Sequence, residues 1–190
     1  MPIPSFEEVM KITDSVSSNA ALENPEAKAL YECCREVRRW ACVVEVGCQL
    51  GRSSSIITQM ASALNFYSLH IDPYTGQPEF MQQWATMMYR VGGVQEHAFT
   101  LLCMRTEQAE WHLEKLAPFD LAYIDGDHGT AEVEMDLALV ACKIRRGGLL
   151  ACHDYGRESL PTVKSALDGF IDERWKMEKH VGTLGVWRRQ

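Results

Sequence analysis

The sequence predicts an α/β domain built on a doubly wound sheet, mostly parallel, with helices on both faces and an antiparallel C-terminal strand. Three observations predict it. Short β-branched, apolar runs alternate with amphipathic stretches along most of the chain, the pattern of parallel strands joined by crossover helices. Glycines and acids fall just after those runs, where such sheets bind ligands. The end, WKMEKHVGTLGVWRR, reads as two strands around Gly182, a hairpin that supplies the antiparallel strand.

Each element follows from its local pattern. Ser5 to Ser18 is weakly helical. Asn24-Pro25 reads as a cap followed by proline at the first helical position, and Leu30, Cys33, Cys34 and Val37 then recur at helical spacing. Strand one is Cys42–Val46, followed by helix Ser53–Leu64. Strand two is Phe66–Ile71, then a helix over Pro78–Tyr89. Gly92-Gly93 breaks the chain before strand three, Ala98–Cys103, and helix Glu107–Leu116 comes next. Strand four is Leu121–Ile124, and the helix after it carries Val133, Leu137, Val140 and Ile144 on one face. Gly147-Gly148 punctuates before strand five, Leu149–Cys152. A last helix, with Pro161 near its start, carries Val163, Leu167 and Phe170.

The totals bound the function. A chain of 190 residues suits one domain with a core large enough to fold unstapled. Residues 1–40 read as N-terminal helices of that domain and a candidate substrate cap, and 41–190 carry the binding motifs. The net charge of −7 argues against nucleic acid, which needs a basic face. No run approaches the roughly 20 apolar residues of a membrane span. MPIPSFEEVM lacks the basic and apolar regions of a signal peptide. Seven cysteines without a C-x-x-C pair read as free thiols in a reducing cytoplasm.

The residues after the strands carry the chemistry. Gly47 and Gly51 let the backbone turn and a ligand approach closely, and Ser53, Ser54 and Ser55 open a helix whose N-terminus favours an anion. An ordinary capped turn looks the same, so G-x-x-x-G alone is weak. Asp72, 25 residues after Gly47, stands where dinucleotide folds place an acid for ribose hydroxyls, though a turn Asp before Pro73 is common. Thr106 and Glu107 either meet an adenine edge or cap a helix. Asp125, Asp127 and His128 cluster after strand four, and His153 and Asp154 end strand five. Such groups at strand ends suit metal coordination or proton transfer better than packing. Trp84, Met87, Met88 and Tyr89 either wall a pocket or, as is commoner at helical spacing, fill the core.

The order VVEVGCQLGRSS, LHIDPY, FDLAYIDGDH, IRRGGLLACHD and GTLGVW resembles class I S-adenosylmethionine-dependent methyltransferases, a Rossmann-like fold. More narrowly it resembles the small-molecule O-methyltransferase branch that includes catechol O-methyltransferase and the macrolide-sugar methyltransferases. The resemblance runs from about Ala41 to the C-terminus. It implies that Glu45, Gly47 and Gly51 line the methionine part of the cofactor, Ser53 holds its carboxylate, and Asp72 holds the ribose. Thr106 and Glu107 would meet the adenine, with Asp125 also at the cofactor. It implies a divalent metal, Mg2+ or another, at Asp125, His153 and Asp154, with Asp127 a further candidate. His128 falls where relatives place a base near the acceptor hydroxyl, so His128 and Asp125 are the implied catalytic pair. Three positions depart from the pattern. Gln49 replaces the middle glycine, Arg146 replaces a proline before Gly147-Gly148, and His153 stands where an acid is usual, which also suits manganese- or iron-type ions. The implied partner is a small-molecule acceptor, with the site either open or completed by a homodimer. The competing classes are a nicotinamide-dependent oxidoreductase, which favours a tighter G-x-G-x-x-G loop, and a non-catalytic nucleotide-binding protein of the same fold.

Overall fold

The computed structural model describes residues 2–15, 22–91 and 99–190. Gly92-Gly93, Ala98 and the C-terminal end of the segment expected to reach Ser18 lie outside them. The elements in chain order are α1 (Phe6–Asp14), α2 (Asn24–Arg35), β1 (Cys42–Val46), α3 (Arg52–Leu64), β2 (Tyr67–Ile71), α4 (Pro78–Arg90), β3 (Phe99–Leu102), α5 (Glu110–Leu116), β4 (Phe119–Ile124), α6 (Thr130–Leu139), β5 (Ile144–Cys152), α7 (Pro161–Phe170), β6 (Trp175–Val181) and β7 (Leu184–Arg189).

The strands form one sheet in the order β3-β2-β1-β4-β5-β7-β6. The first five run parallel, and β7 lies antiparallel to both β5 and β6. The order reverses between β1 and β4, which makes the crevice beyond their carboxyl ends the switch point of the fold. Alternation along the strands divides the core. Val43, Leu121, Tyr123, Ala151 and Val186 pack with α1, α2 and α3. Val44, Val46, Ala122, Ile124 and Leu150 pack with α5, α6 and α7 on the other face. A strand buried on both faces needs apolar residues at every position, which is why β1 and β4 read as continuous runs.

The helix starts follow local chemistry. Ser5 opens α1 with a reciprocal pair: Glu8 N donates to Ser5 Oγ at 3.2 Å, and Ser5 N donates to Glu8 Oε2 at 2.7 Å. In α2 the cap is Glu23 rather than Asn24, with Pro25 in the first turn. The helix expected from Glu107 begins as a 3-10 turn at Thr106–Ala109 before α5. Trp84, Met87 and Met88 are core residues, while Tyr89 faces solvent. All seven cysteines are free, with Cys103 and Cys142 exposed and the others buried.

Two expectations near β5 are corrected. Ile144 is not on α6; the helix stops at Leu139, a 3-10 turn covers Ala141–Lys143, and Ile144 opens β5. Both Val140 and Ile144 are fully buried, so their spacing could not mark where the helix ends. Gly147 and Gly148 lie within β5 rather than before it. They belong to a bulge, since Phe119 pairs with Ile144 but Leu121 pairs with Leu149.

Asp120, buried beside that bulge, pins it. It accepts from Arg38 Nη2 at 2.7 Å, from Arg38 N at 3.1 Å, and from Arg145 Nε at 2.7 Å. Burial alone would raise its pKa, but the bonds from Arg38 and Arg145 outweigh burial and hold the carboxyl well below the usual carboxylate range. A depressed carboxylate stabilises the fold above its unfolded value near pH 4, and that contribution is lost as pH falls toward the folded value. Asp120→Ala is therefore expected to cost about 2 kcal/mol at pH 7, below the usual figure for a buried pair because both arginines reach water. Urea unfolding at pH 7 and pH 3 checks it: the gap between the two proteins should narrow at the lower pH.

Candidate functional site

The backbone ladder continues one residue past the parallel strands. Gly47 N donates to Ile71 O at 2.9 Å, Asp72 N to Leu102 O at 3.2 Å, Asp125 N to Val46 O at 2.8 Å and His153 N to Ile124 O at 3.0 Å. Gly47, Asp72, Asp125 and His153 therefore stand in one row across the sheet. Above this row lies a cavity of about 590 Å3 whose lining includes Gly47, Asp72, Thr106, Glu107, Asp125, Asp127, His128 and Asp154. That size is within the range of small-molecule sites.

The glycine loop is tied down by Asp72. Its Oδ2 accepts from Cys48 N at 2.8 Å and Gln49 N at 2.9 Å, and its Oδ1 accepts from Tyr74 N at 2.8 Å. Gly47 has φ +83°, and a Cβ there would lie 1.9 Å from the Asp125 carbonyl oxygen, so β1 can approach β4 only with glycine. Three expected cofactor residues do not line the cavity. Gly51 is covered by Trp84 and Met87, and Ser53 is buried at the start of α3. Glu45 points from β1 into a polar floor, where Ser54 Oγ donates to its Oε2 at 2.6 Å and His70 Nδ1 lies 2.5 Å away. Trp84 Nε1 donates to Ser54 Oγ at 2.9 Å and closes the floor against α4. Because side chains alternate along β1, Glu45 shares the face of Val43, the side packed against α3, while Val46 faces the other way and lines the cavity.

The acidic centre is built from β4 and β5. Asp125 Oδ1 lies 3.2 Å from His153 Nδ1, and Tyr123 Oη donates to Asp125 Oδ2 at 3.2 Å. His128 Nε2 is paired with Asp154 Oδ2 at 2.8 Å. Arg157 Nη1 donates to Asp154 Oδ1 at 3.1 Å, and Asp127 Oδ1 accepts from Gly129 N at 3.0 Å. Burial raises the pKa of Asp125, with His153 opposing it. Burial opposes the charge of His153 as well, but bonds to Asp125 and Asp154 and their charges lift it to about 11. The Asp154 carboxylate raises the pKa of His128.

The expected metal set is rearranged. Ligand atoms of Asp125, His128 and Asp154 come within 4.8 Å of one another. His153 is not among them, because its Nδ1 faces Asp125 and its Nε2 faces Glu26 Oε2 at 3.3 Å. A ring engaged at both nitrogens has no lone pair left for an ion. Two carboxylates and an imidazole are a donor set that fits a divalent transition ion.

On the side toward β3, Thr106 is buried and bonded to Asp136, a cavity residue of α6 that the sequence reading did not select. Burial pushes the Asp136 carboxyl up to about 6, against the Thr106 bond and helped by the nearby charges of Glu107, Asp127 and Glu132. Glu26, which joins His153 from α2, was not selected either. Both acids share a signal: each sits on the apolar face of its helix, Asp136 between Val133 and Leu137, Glu26 one turn before Leu30. Among the described residues, none of the first forty lines the cavity.

A family model described as a methyltransferase domain matches residues 44–155. No curated protein matches the chain. Solved structures do. The O-methyltransferase from Bacillus cereus in complex with SAH is 12% identical, with TM-score 0.69 over 99% of this chain and 93% of that one. CalS11, a TDP-rhamnose 3'-O-methyltransferase of calicheamicin biosynthesis, is 15% identical, with TM-score 0.66 over 97% and 95%. An rRNA methylase from Streptococcus thermophilus is 13% identical, with TM-score 0.66 over 90% and 99%. At these identities the likeness is one of fold.

Asp136 gives a pH test of the site. Its folded pKa of about 6 exceeds the ordinary aspartate value of 3.8, so the folded state holds the proton longer and stability falls as pH rises between them. Above pH 6 that cost approaches about 3 kcal/mol. Asp136→Asn is expected to gain stability over the wild type as pH rises from 4 to 7, read as diverging urea midpoints.

Proposed function

Because the chain belongs to the methyltransferase-domain family, we propose that it transfers the methyl group of S-adenosylmethionine to a hydroxyl of a small molecule. The observation that carries this reading is the row Gly47–Asp72–Asp125 at the switch point, with His128 and Asp154 beside it. Bound there, S-adenosylmethionine supplies a sulfonium-activated methyl: transfer to oxygen breaks the C–S bond, leaves a thioether and frees the hydroxyl proton.

The chain's own residues divide the work. Asp72 Oδ1 accepts one backbone bond and keeps a lone pair for a ribose hydroxyl. Gly47 lets the loop pack against the Asp125 carbonyl at the edge of the cavity. Thr106, Asp136 and Glu107 form the end of the cavity suited to the adenine. Asp154 holds His128 through Nε2, which leaves Nδ1 to accept the acceptor's proton. Holding the acceptor and the methyl in line is worth several kcal/mol, about what a positioned intramolecular reaction gains. Glu107, Glu132, Asp127 and Asp136 outweigh Arg105 and Arg157 on the wall. A neutral or cationic acceptor suits such a wall, and a polyanion such as nucleic acid does not.

A divalent ion is a finer option of the same reading. Asp125, His128 and Asp154 would hold it, and it would lower the pKa of the acceptor hydroxyl. With His128 as a ligand the base would lie elsewhere, so the effect of EDTA and of added Mn2+ on turnover separates the two arrangements.

Calorimetry with S-adenosylmethionine tests the cofactor. Asp72→Ala is expected to weaken binding at least tenfold, roughly the worth of one charge-assisted bond, with circular dichroism unchanged. Wild-type affinity in that variant would remove Asp72 from the site. A methyl-acceptor panel tests the chemistry. His128→Ala should lower turnover at unchanged cofactor affinity. Since Asp154 raises the pKa of His128, the base becomes neutral only above the usual histidine value near 6.5, and wild-type turnover should rise with pH through that higher range.

A further inference from the structure

Glu26 lies on α2, in the part of the chain without a motif, and is 3% exposed. A buried carboxylate that does not line the cavity needs a reason. Its Oε1 accepts from Thr183 N at 2.7 Å and Thr183 Oγ1 at 2.9 Å, in the turn between β6 and β7. Its Oε2 accepts from Glu23 N at 2.9 Å and faces His153 Nε2 at 3.3 Å. The other nitrogen of that ring faces Asp125 Oδ1 at 3.2 Å and Asp154 Oδ2 at 3.6 Å. Asp154 Oδ2 is in turn 2.8 Å from His128 Nε2. A continuous chain of charged groups thus runs from α2 through the sheet end to the cavity.

We propose that Glu26 is a positioning residue for the His128–Asp154 pair, acting through the buried His153 ring. The proposal rests on reading the cavity as a methyl-transfer site. Its physical basis is the ring's geometry. A lone pair pointed at a carboxylate is repelled, so a ring with a carboxylate at each nitrogen donates from both. Glu26 and Thr183 fix the orientation of the ring at one end. Asp125 and Asp154 are held at the other. Asp154 has φ +58°, in the left-handed region that side chains other than glycine seldom adopt, so its backbone depends on surrounding contacts to stay there. Removing Glu26 frees the ring to turn, loosens Asp154 and shifts the His128 imidazole, although Glu26 does not touch His128.

The test uses the full chain labelled with 15N-histidine and needs no acceptor. Long-range 15N–1H correlation spectra report the ring nitrogens of His128, His153 and His70. His70 sits in the floor network with Glu45, outside the chain of contacts, and serves as the control. In Glu26→Ala the His153 and His128 signals are expected to shift and the His70 signals to stay. Glu26→Asp keeps the charge but draws it back by one methylene, so the same signals should move in the same direction by less; it decides the matter if the alanine variant does not fold. Unmoved His128 signals in a folded variant would overturn the proposal and leave Glu26 a brace between α2 and the β6–β7 turn. So would signals of His70 and His128 shifting together, the mark of general loosening. Calorimetry with S-adenosylmethionine on the wild type separates this from the functional reading: absent binding sinks that reading, while the spectra still decide whether Glu26 is coupled to His128.

Discussion

The site depends on the in-register ending of its parallel strands. Backbone bonds carry β2, β1, β4 and β5 one residue beyond their last paired position, and that extra step sets Asp72, Gly47, Asp125 and His153 side by side. A slip of one residue in any strand would send its terminal side chain to the opposite face and dismantle the row. The close approach of Gly47 to the Asp125 carbonyl is the tightest point of this arrangement. Everything chemical in the cavity is hung on backbone geometry that the core on both faces enforces.

Two polar networks lie under and beside that row, and they differ in kind. The floor around Glu45, His70, Ser54 and Trp84 is sealed from the cavity. It locks β1, β2, α3 and α4 together beneath the glycine loop, so the loop's shape is fixed from below by Glu45 and from above by Asp72. The second network, around His153, opens into the cavity through Asp125 and Asp154. Burying these charges is costly, and the cost is offset only because each carboxylate meets a cation or several N–H donors. Most of the polar atoms in these networks are partnered, and such shared contacts hold their members in one arrangement.

Much of this was legible in the sequence, and the exceptions have physical reasons. The bounds of β1 were readable because a strand buried on both faces must be apolar throughout, and a glycine must follow where β4 crowds it. That Asp72, Asp125, Asp127, His128 and Asp154 gather around one cavity was readable because acids and histidine at strand ends have little packing use. The start of β5 was not, because Val140 and Ile144 are core residues whether the chain between them is helix or strand. The sequence also could not tell which residues near the glycine loop face the cavity. Glu45, Gly51 and Ser53 sit beside the loop but turn into the layer below, a matter of pleat and helix phase. Glu26 and Asp136 were missed although an acid on an apolar helix face is itself a signal; only the fold sets Asp136 in the cavity wall and Glu26 against His153 behind it.

The rearranged acidic centre bears on how much of the chemistry belongs to this chain in particular. Two structures of the same fold are named for acceptors as unlike as a TDP-sugar and an rRNA, so the fold alone does not name an acceptor. The acidic centre carries a pair of imidazoles flanking Asp154, one open to the cavity and one sealed behind it. His153, buried between Asp125, Asp154 and Glu26, is favoured in its charged form by Asp125 and Asp154, and His128 lines the cavity. The charge of this centre is thus balanced from within, since both imidazoles face Asp154, while Glu107, Asp127, Glu132 and Asp136 make the cavity's outer wall acidic.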